Sequence, residues 1–93
     1  MNYELEFLES ALKEWKALNA NTREQFRKKL TERCENPHVP SGKLRGSSHR
    51  CKIKLRSAGH RLVYAVEDDR LVVLVVTIGR RDRSEVYENA KRR

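Results

Sequence analysis

The alternation of apolar and cationic residues is sharpest between Arg50 and Val66. Cys51, Ile53 and Leu55 alternate with Arg50, Lys52, Lys54 and Arg56; after the segment SAGH, Leu62, Tyr64 and Val66 alternate with Arg61, Val63 and Ala65. A period of two is that of a strand with unlike faces, so this stretch predicts a β-hairpin. Matching the apolar sets places Leu55 opposite Leu62, Ile53 opposite Tyr64 and Cys51 opposite Val66, around a four-residue loop from Ser57 to His60. The same parity puts Lys52, Lys54, Arg56 and Arg61 on the other face, with Arg56 the direct neighbour of Arg61.

The rest of the pattern surrounds this hairpin with helices and strands. Asn2 to Phe7 alternates and predicts a short first strand. Leu8, Ala11, Leu12, Trp15 and Leu18 then fall on one helical stripe, predicting a helix from Glu9 to Leu18 with Trp15 as a core anchor. Thr22 followed by Gln25 has the form of a capping box, which opens a second helix from Arg23 to Glu35 with Phe26, Leu30 and Cys34 inward. Asn36-Pro37 stops it, and Pro40, Gly42 and Gly46 keep Pro37 to Ser48 irregular. Within that segment Leu44, between Lys43 and Arg45, suits a tether that leaves both cations facing a ligand.

Glu67, Asp68 and Asp69 mark a short turn into Leu71 to Ile78, an almost uninterrupted β-branched run that reads as a central strand ended by Gly79. The short connection favours an antiparallel meander of three strands. Asp82 and Glu85 suit the cap of a last helix from Arg83 to Arg92, sparsely apolar and expected to pack weakly through Val86 and Ala90. Two short amphipathic helices against one sheet make an α+β domain, and 93 residues are enough for a single domain, 1–93.

Charge changes the picture more than composition does. The net charge is +8, yet Met1 to His38 is neutral, with seven basic and seven acidic residues, and the whole excess lies in Val39 to Arg93. No carboxylate interrupts the chain between Lys43 and Arg61. Like charges facing one another on a sheet are destabilising, so a cationic face kept free of acids points to a polyanion. The segments hold no run apolar enough for a membrane span or signal peptide, which leaves a cytoplasmic, membrane-free setting as the expectation. Cys34 and Cys51 lack ligand spacing and read as buried thiols, and His38, His49 and His60 form no zinc pattern.

The chain contains no HExxH, no glycine-rich phosphate loop, no hydrolase triad and no paired-carboxylate site. RNA cleavage remains open to it without a metal, because the substrate's own 2′-hydroxyl can attack phosphorus while the protein aligns the groups and neutralises charge. An ammonium crowded by other cations gives up its proton more readily, which qualifies Lys52 or Lys54 as a general base. His60 reads as a polar loop residue off the required face. From the residues alone, a noncatalytic RNA-binding module or a basic gyrase inhibitor stands beside the nuclease as an alternative.

Four segments in order, ALKEW (Ala11 to Trp15), KLRG (Lys43 to Gly46), KIKLRSAGHRLVYAV (Lys52 to Val66) and VVTIGRRDRSEVY (Val75 to Tyr87), resemble the RelE branch of the RelE/ParE toxins of bacterial toxin–antitoxin systems. The resemblance spans nearly the whole chain. It implies two N-terminal helices on a mostly antiparallel sheet of about four strands, followed by a short C-terminal helix. It also implies a ribosome-dependent endoribonuclease that cuts mRNA in the ribosomal A site, leaving a 2′,3′-cyclic phosphate and a 5′-hydroxyl, with no cofactor. The family's catalytic pattern matches Lys52, Lys54, Arg61, Arg81 and Tyr87, a set that the gyrase-directed ParE branch lacks.

Under that resemblance Lys54 is the expected base, helped by Lys52. Arg61 and Lys52 stabilise the phosphorane, Arg81 serves the leaving oxygen, and Tyr87 orients or stacks on the base. Lys43, Arg45, Arg50, Arg56, Arg80 and Arg83 are the further RNA-binding positions. The departure from the common loop form lies at His60, where tyrosine is frequent. Implied partners are a cognate RelB-like antitoxin that displaces the C-terminal helix, the 70S ribosome with its mRNA, and operator DNA reached through the antitoxin complex.

Overall fold

The computed structural model describes residues 2–44, 46, 49–56, 59–80 and 85–93, with the helical backbone alone for 85–88. Among the described residues are strand β1 (Glu4–Phe7), helices α1 (Glu9–Ala17) and α2 (Ala20–Glu35), a 3-10 turn (Pro40–Gly42), strands β2 (Arg50–Leu55), β3 (His60–Glu67) and β4 (Val72–Arg80), and helix α3 (Glu85–Arg92). The sheet order is β1-β4-β3-β2. β2, β3 and β4 form the expected antiparallel meander, while β1 joins parallel to β4. The architecture is therefore α+β with a mixed, mostly antiparallel sheet.

One face of the sheet carries the main core. Cys51, Ile53, Leu55, Leu62, Tyr64, Val73, Val75 and Ile78 pack there against Ala11 of α1 and Phe26 and Leu30 of α2. Trp15 joins this cluster from its edge, its ring centroid 5.2 Å from that of Phe7. Leu12, placed on the inward stripe by periodicity, is instead exposed. The centre of the α1 stripe runs through the small Ala11, whose full burial brings the helix close to the sheet and turns Leu12 aside.

Several boundaries differ from the sequence expectation. α2 starts at Ala20 because Asn19, not Thr22, is its cap: the Asn19 side chain accepts the Thr22 N–H at 2.8 Å, and Thr22 is itself buried. Leu71 belongs to the turn, at φ 54°, so the strand starts one residue later. That strand also runs through Gly79 to Arg80 rather than stopping at glycine, since β3 pairs with it as far as His60. α3 is assigned from Glu85 rather than Arg83, and the expected cap at Asp82 lies outside the described residues.

The hairpin register is the main correction. Ile53 pairs with Leu62, Cys51 with Tyr64, Lys54 with Arg61 and Leu55 with His60, two residues away from the predicted alignment. The connection accordingly runs over 56–59. A shift of two keeps every side chain on its predicted face. What changes is the neighbour: Lys54, not Arg56, stands opposite Arg61.

The end of the sheet beyond β1 is held by a polar cluster. Asp68 accepts the Tyr3 hydroxyl at 2.5 Å and lies 2.8 Å from the His38 ring, tying the start of the chain to the β3–β4 turn. These partners, Tyr3 first, hold the Asp68 carboxyl below its ordinary range. A lowered folded-state pKa stabilises above the unfolded value, and the gain disappears as pH falls through the folded value. The wild type is therefore expected to resist urea better than Asp68→Asn at pH 7, and the gap is expected to close in acid below the usual aspartate range. Parallel melts at pH 7 and pH 3 check this, and a gap that does not depend on pH would contradict it.

Candidate RNA-binding face

The face opposite the main core is built by the intervening residues of the same strands. Arg50, Lys52 and Lys54 of β2 lie in register with Ala65, Val63 and Arg61 of β3, so three cations run along β2 and a fourth joins at its end. Across β3 the next row members on β4 are Gly79 beside Arg61 and Thr77 beside Val63. Arg61 thus has a lysine on one side and, about 4.8 Å away on the other, a strand position with no side chain. Arg61 is half-buried, and its Nε is itself buried.

Val63 is fully buried, although it lies on this face. Ala90 of α3 and Leu44 pack on it, forming a small second core. Leu44 is therefore the expected tether, and its N–H donates to the Arg50 carbonyl at 2.9 Å. Gly42 permits this closure: a Cβ there would meet the Lys52 carbonyl oxygen at 3.1 Å. Lys43 follows it, bridged to Cys51 and exposed beside β2.

At the hairpin tip, Lys54, Leu55, Arg56, His60 and Arg61 line a shallow depression of about 210 Å³. It wraps over the end of the sheet, taking the Lys54–Arg61 row from one face and the Leu55–His60 row from the other. This corrects the expectation for His60: it is the first residue of β3, half-buried, and lines the same depression as Lys54 and Arg61. The two-residue register shift moved it out of the loop. Arg80 pairs in register with His60, one row beyond the Arg61–Gly79 row.

Lys52, Lys54 and Arg61 therefore share a face, as their spacing predicted, with Arg50 in the same line. Arg50 has a further role that periodicity did not reveal, because its guanidinium donates to the Ala90 carbonyl near the end of α3. Tyr87 falls within α3, but its side chain lies outside the described residues, as do Arg45, Arg81 and Arg83 altogether. Among the described residues, no three His, Cys, Asp or Glu side chains gather as metal ligands. A row of cations at strand spacing, with lysine directly opposite arginine, is chemically suited to a polyanion.

Comparison with known proteins agrees with this geometry. Residues 5–85 match the family model described as the ParE toxin of type II toxin–antitoxin systems. The mRNA interferase toxin RelE of Escherichia coli K12 is 53% identical over 93 residues, covering all of this chain and 98% of that protein. The chain belongs to the RelE/ParE family, in its RelE branch. Among solved RelE structures, a doubly substituted E. coli RelE in the free state superposes with a TM-score of 0.92 at 50% identity, covering 99% of this chain and 97% of that one. The toxin of the intact E. coli RelBE toxin–antitoxin complex superposes at 0.83 with 51% identity, over 87% of this chain and 99% of that one. The RelE-like fold expected from the ordered segments is thus present throughout. No helix of the described residues is long and apolar enough to cross a membrane.

Proposed function

We propose that residues 1–93 form one RelE-type toxin domain that cuts mRNA in the ribosomal A site and is neutralised by a RelB-type antitoxin. The observation that carries this reading is the row formed by Lys54 and Arg61, with Lys52 on the same face and bare Gly79 alongside. A phosphodiester seated there meets the Arg61 guanidinium and the amines of Lys54 and Lys52. Lys54, acting as the general base, takes the proton of the 2′-hydroxyl. The oxygen then bonds to phosphorus, and charge grows on the equatorial oxygens, where Arg61 and Lys52 stabilise it. The bond to the 5′-oxygen breaks, Arg81 offsets the charge on that leaving oxygen while it takes a proton from water, and a 2′,3′-cyclic phosphate and a 5′-hydroxyl result. The steps call on the RNA's own hydroxyl, protein side chains and water, and on no metal.

Among the described residues, the depression at the hairpin tip is shallow and supplies few groups that would fix an RNA strand in the in-line geometry this attack needs. The ribosome supplies the missing alignment by presenting mRNA in a defined conformation, which supports a ribosome-dependent reaction in the bacterial cytoplasm. Lys43, Arg45, Arg50, Arg56, Arg80 and Arg83 contribute the surrounding cationic field for RNA. The antitoxin covers this field, and the toxin–antitoxin complex represses its operon by binding operator DNA. The name of the E. coli relative and the RelBE complex support this reading.

Purified protein added to ribosomes programmed with a defined message, with the A site vacant, is expected to yield new ends within the A-site codon. The 3′ fragment should begin with a 5′-hydroxyl, and naked RNA should be cut far more slowly. Intact message on ribosomes that bind the protein would refute the nuclease reading.

A further inference from the structure

β4 is paired on both sides over only part of its length. β1 covers Val72 to Val75, and the Leu8 N–H closes on the Val75 carbonyl at 3.0 Å. From Val76 onward, no strand of the described residues lies on that side, and the β3 register also shifts here, between Val63 and Tyr64. An uncovered, irregular stretch of edge is where a strand frays, and this one leads directly to Arg80.

Two side chains take the place of the missing strand. A single Glu14 carboxylate oxygen from α1 accepts the Ile78 N–H at 3.1 Å and the Thr77 hydroxyl at 3.4 Å. Arg93, one residue past α3, donates to that same oxygen at 2.9 Å and to the Val76 carbonyl at 3.1 Å. Glu14 and Arg93 stand 79 positions apart in sequence, and their side chains are only 29% and 23% exposed. Water screens such a pair less than it would one on the open surface. On its other side, α3 is held by Arg50 at the Ala90 carbonyl and by the burial of Ala90 on Val63.

Among the described side chains, the C-terminal end of α3 is held by the Arg93–Glu14 pair, the Arg50 contact and the burial of Ala90. Arg81 and Tyr87 lie in the chain between the end of β4 and this anchored end. We propose that Glu14 is a positioning residue for RNA cleavage: through Arg93 it seats α3, the helix whose backbone includes Tyr87, on the edge of β4 that β1 leaves uncovered. This role rests on the nuclease reading above. Glu14 itself need not touch RNA.

Glu14→Gln separates charge from shape, because the amide keeps a carbonyl oxygen for Ile78 but loses the ion pair. Arg93→Gln removes the pair from the other end and leaves α1 untouched. In the full-length protein, either variant is expected to speed hydrogen exchange of the 86–92 amides at least about tenfold, with exchange in β3 unchanged. On programmed ribosomes each should lower the maximal cleavage rate without weakening ribosome binding. The double variant should be no worse than the more severe single, as for two residues acting through one contact.

Wild-type exchange of α3 in Glu14→Gln would overturn the proposal. So would additive effects of the two substitutions, or an undiminished maximal rate in a variant whose helix has loosened. If the wild-type protein leaves message intact on ribosomes, the nuclease reading fails and the positioning role with it. The exchange data still decide separately whether Glu14 seats the helix.

Discussion

Arg61→Ala is expected to lower the rate of ribosome-dependent message cleavage by about 10²–10³-fold, the range found when one fixed donor to a developing oxyanion is removed. Arg61 is half-buried, with its Nε fully buried, opposite Lys54 on β2 and in register with Gly79 on β4. A guanidinium seated in this way needs little reorganisation to offer its donors to a phosphate. Arg61→Lys should recover only part of the rate, since an ammonium keeps the charge but loses the planar pair of donors. Arg56 is exposed at the tip, and on the proposed reading it is one phosphate contact among several, so Arg56→Ala should chiefly weaken binding and reduce its salt dependence. Cleavage rates on saturated ribosomes, compared with affinities at two salt concentrations, distinguish these effects. If Arg61→Ala and Arg56→Ala change rate and affinity alike, the face is a binding surface with no catalytic centre at Arg61.

Tyr64→Ala is expected to cost about 3–5 kcal/mol, a large share of the roughly 5–15 kcal/mol that holds a domain of this kind together. Tyr64 is fully buried in the main core. Its hydroxyl donates to the Pro37 carbonyl at 2.8 Å and accepts from Arg33 at 3.0 Å, while the Arg33 guanidinium lies 5.9 Å from its ring centroid. The side chain thus joins the sheet, the end of α2 and the start of the loop that carries Lys43. Alanine removes the ring and strands these polar partners together, whereas Tyr64→Phe removes only the hydroxyl and should cost about 1–3 kcal/mol.

Burial, partly offset by Arg33, pushes the Tyr64 phenol up to about 12. A phenol whose pKa is raised on folding stabilises fully below its unfolded value, near 10, and the gain is lost as pH rises toward the folded value. Urea melts should show wild-type stability falling between about pH 10 and 12. The Phe variant lacks that component. Equal alkaline loss in both proteins would assign the effect elsewhere, and a Tyr64→Ala cost below about 1 kcal/mol would remove Tyr64 from the centre of the core.

The faces of the strands were legible because parity is a local property. Lys52, Lys54 and Arg61 share a face in any register that differs by an even number of residues. The register itself was not legible: pairing Leu55 with Leu62 looked best by hydrophobic matching, whereas the chain pairs Leu55 with His60. Turn geometry decides between those alternatives, and apolar matching does not sense it. A similar ambiguity displaced the start of α2, since Asn19 and Thr22 are both competent caps and the choice rests on which side chain the core buries. Glu14 was the least legible residue, because nothing near it in sequence reveals a partner 79 positions away. Arg81 and Tyr87 are candidates by residue type, and the RelE resemblance, not any period in the chain, joins them to Lys52, Lys54 and Arg61.

The parallel pairing of β1 with β4 has a consequence for how the protein assembles. Among the described residues, the only ladder partner of the first strand is the last, so β1, α1 and α2 cannot complete their shared core until the chain has been made as far as β4. Contacts this distant in sequence are slow to form and make folding close to all-or-none. A cleavage that detaches β4 would leave β1 without a strand to join and the core face of β3 uncovered, rather than a smaller working toxin. Any route that delays the docking of Val72 to Arg80 therefore keeps the cationic face from being assembled at all.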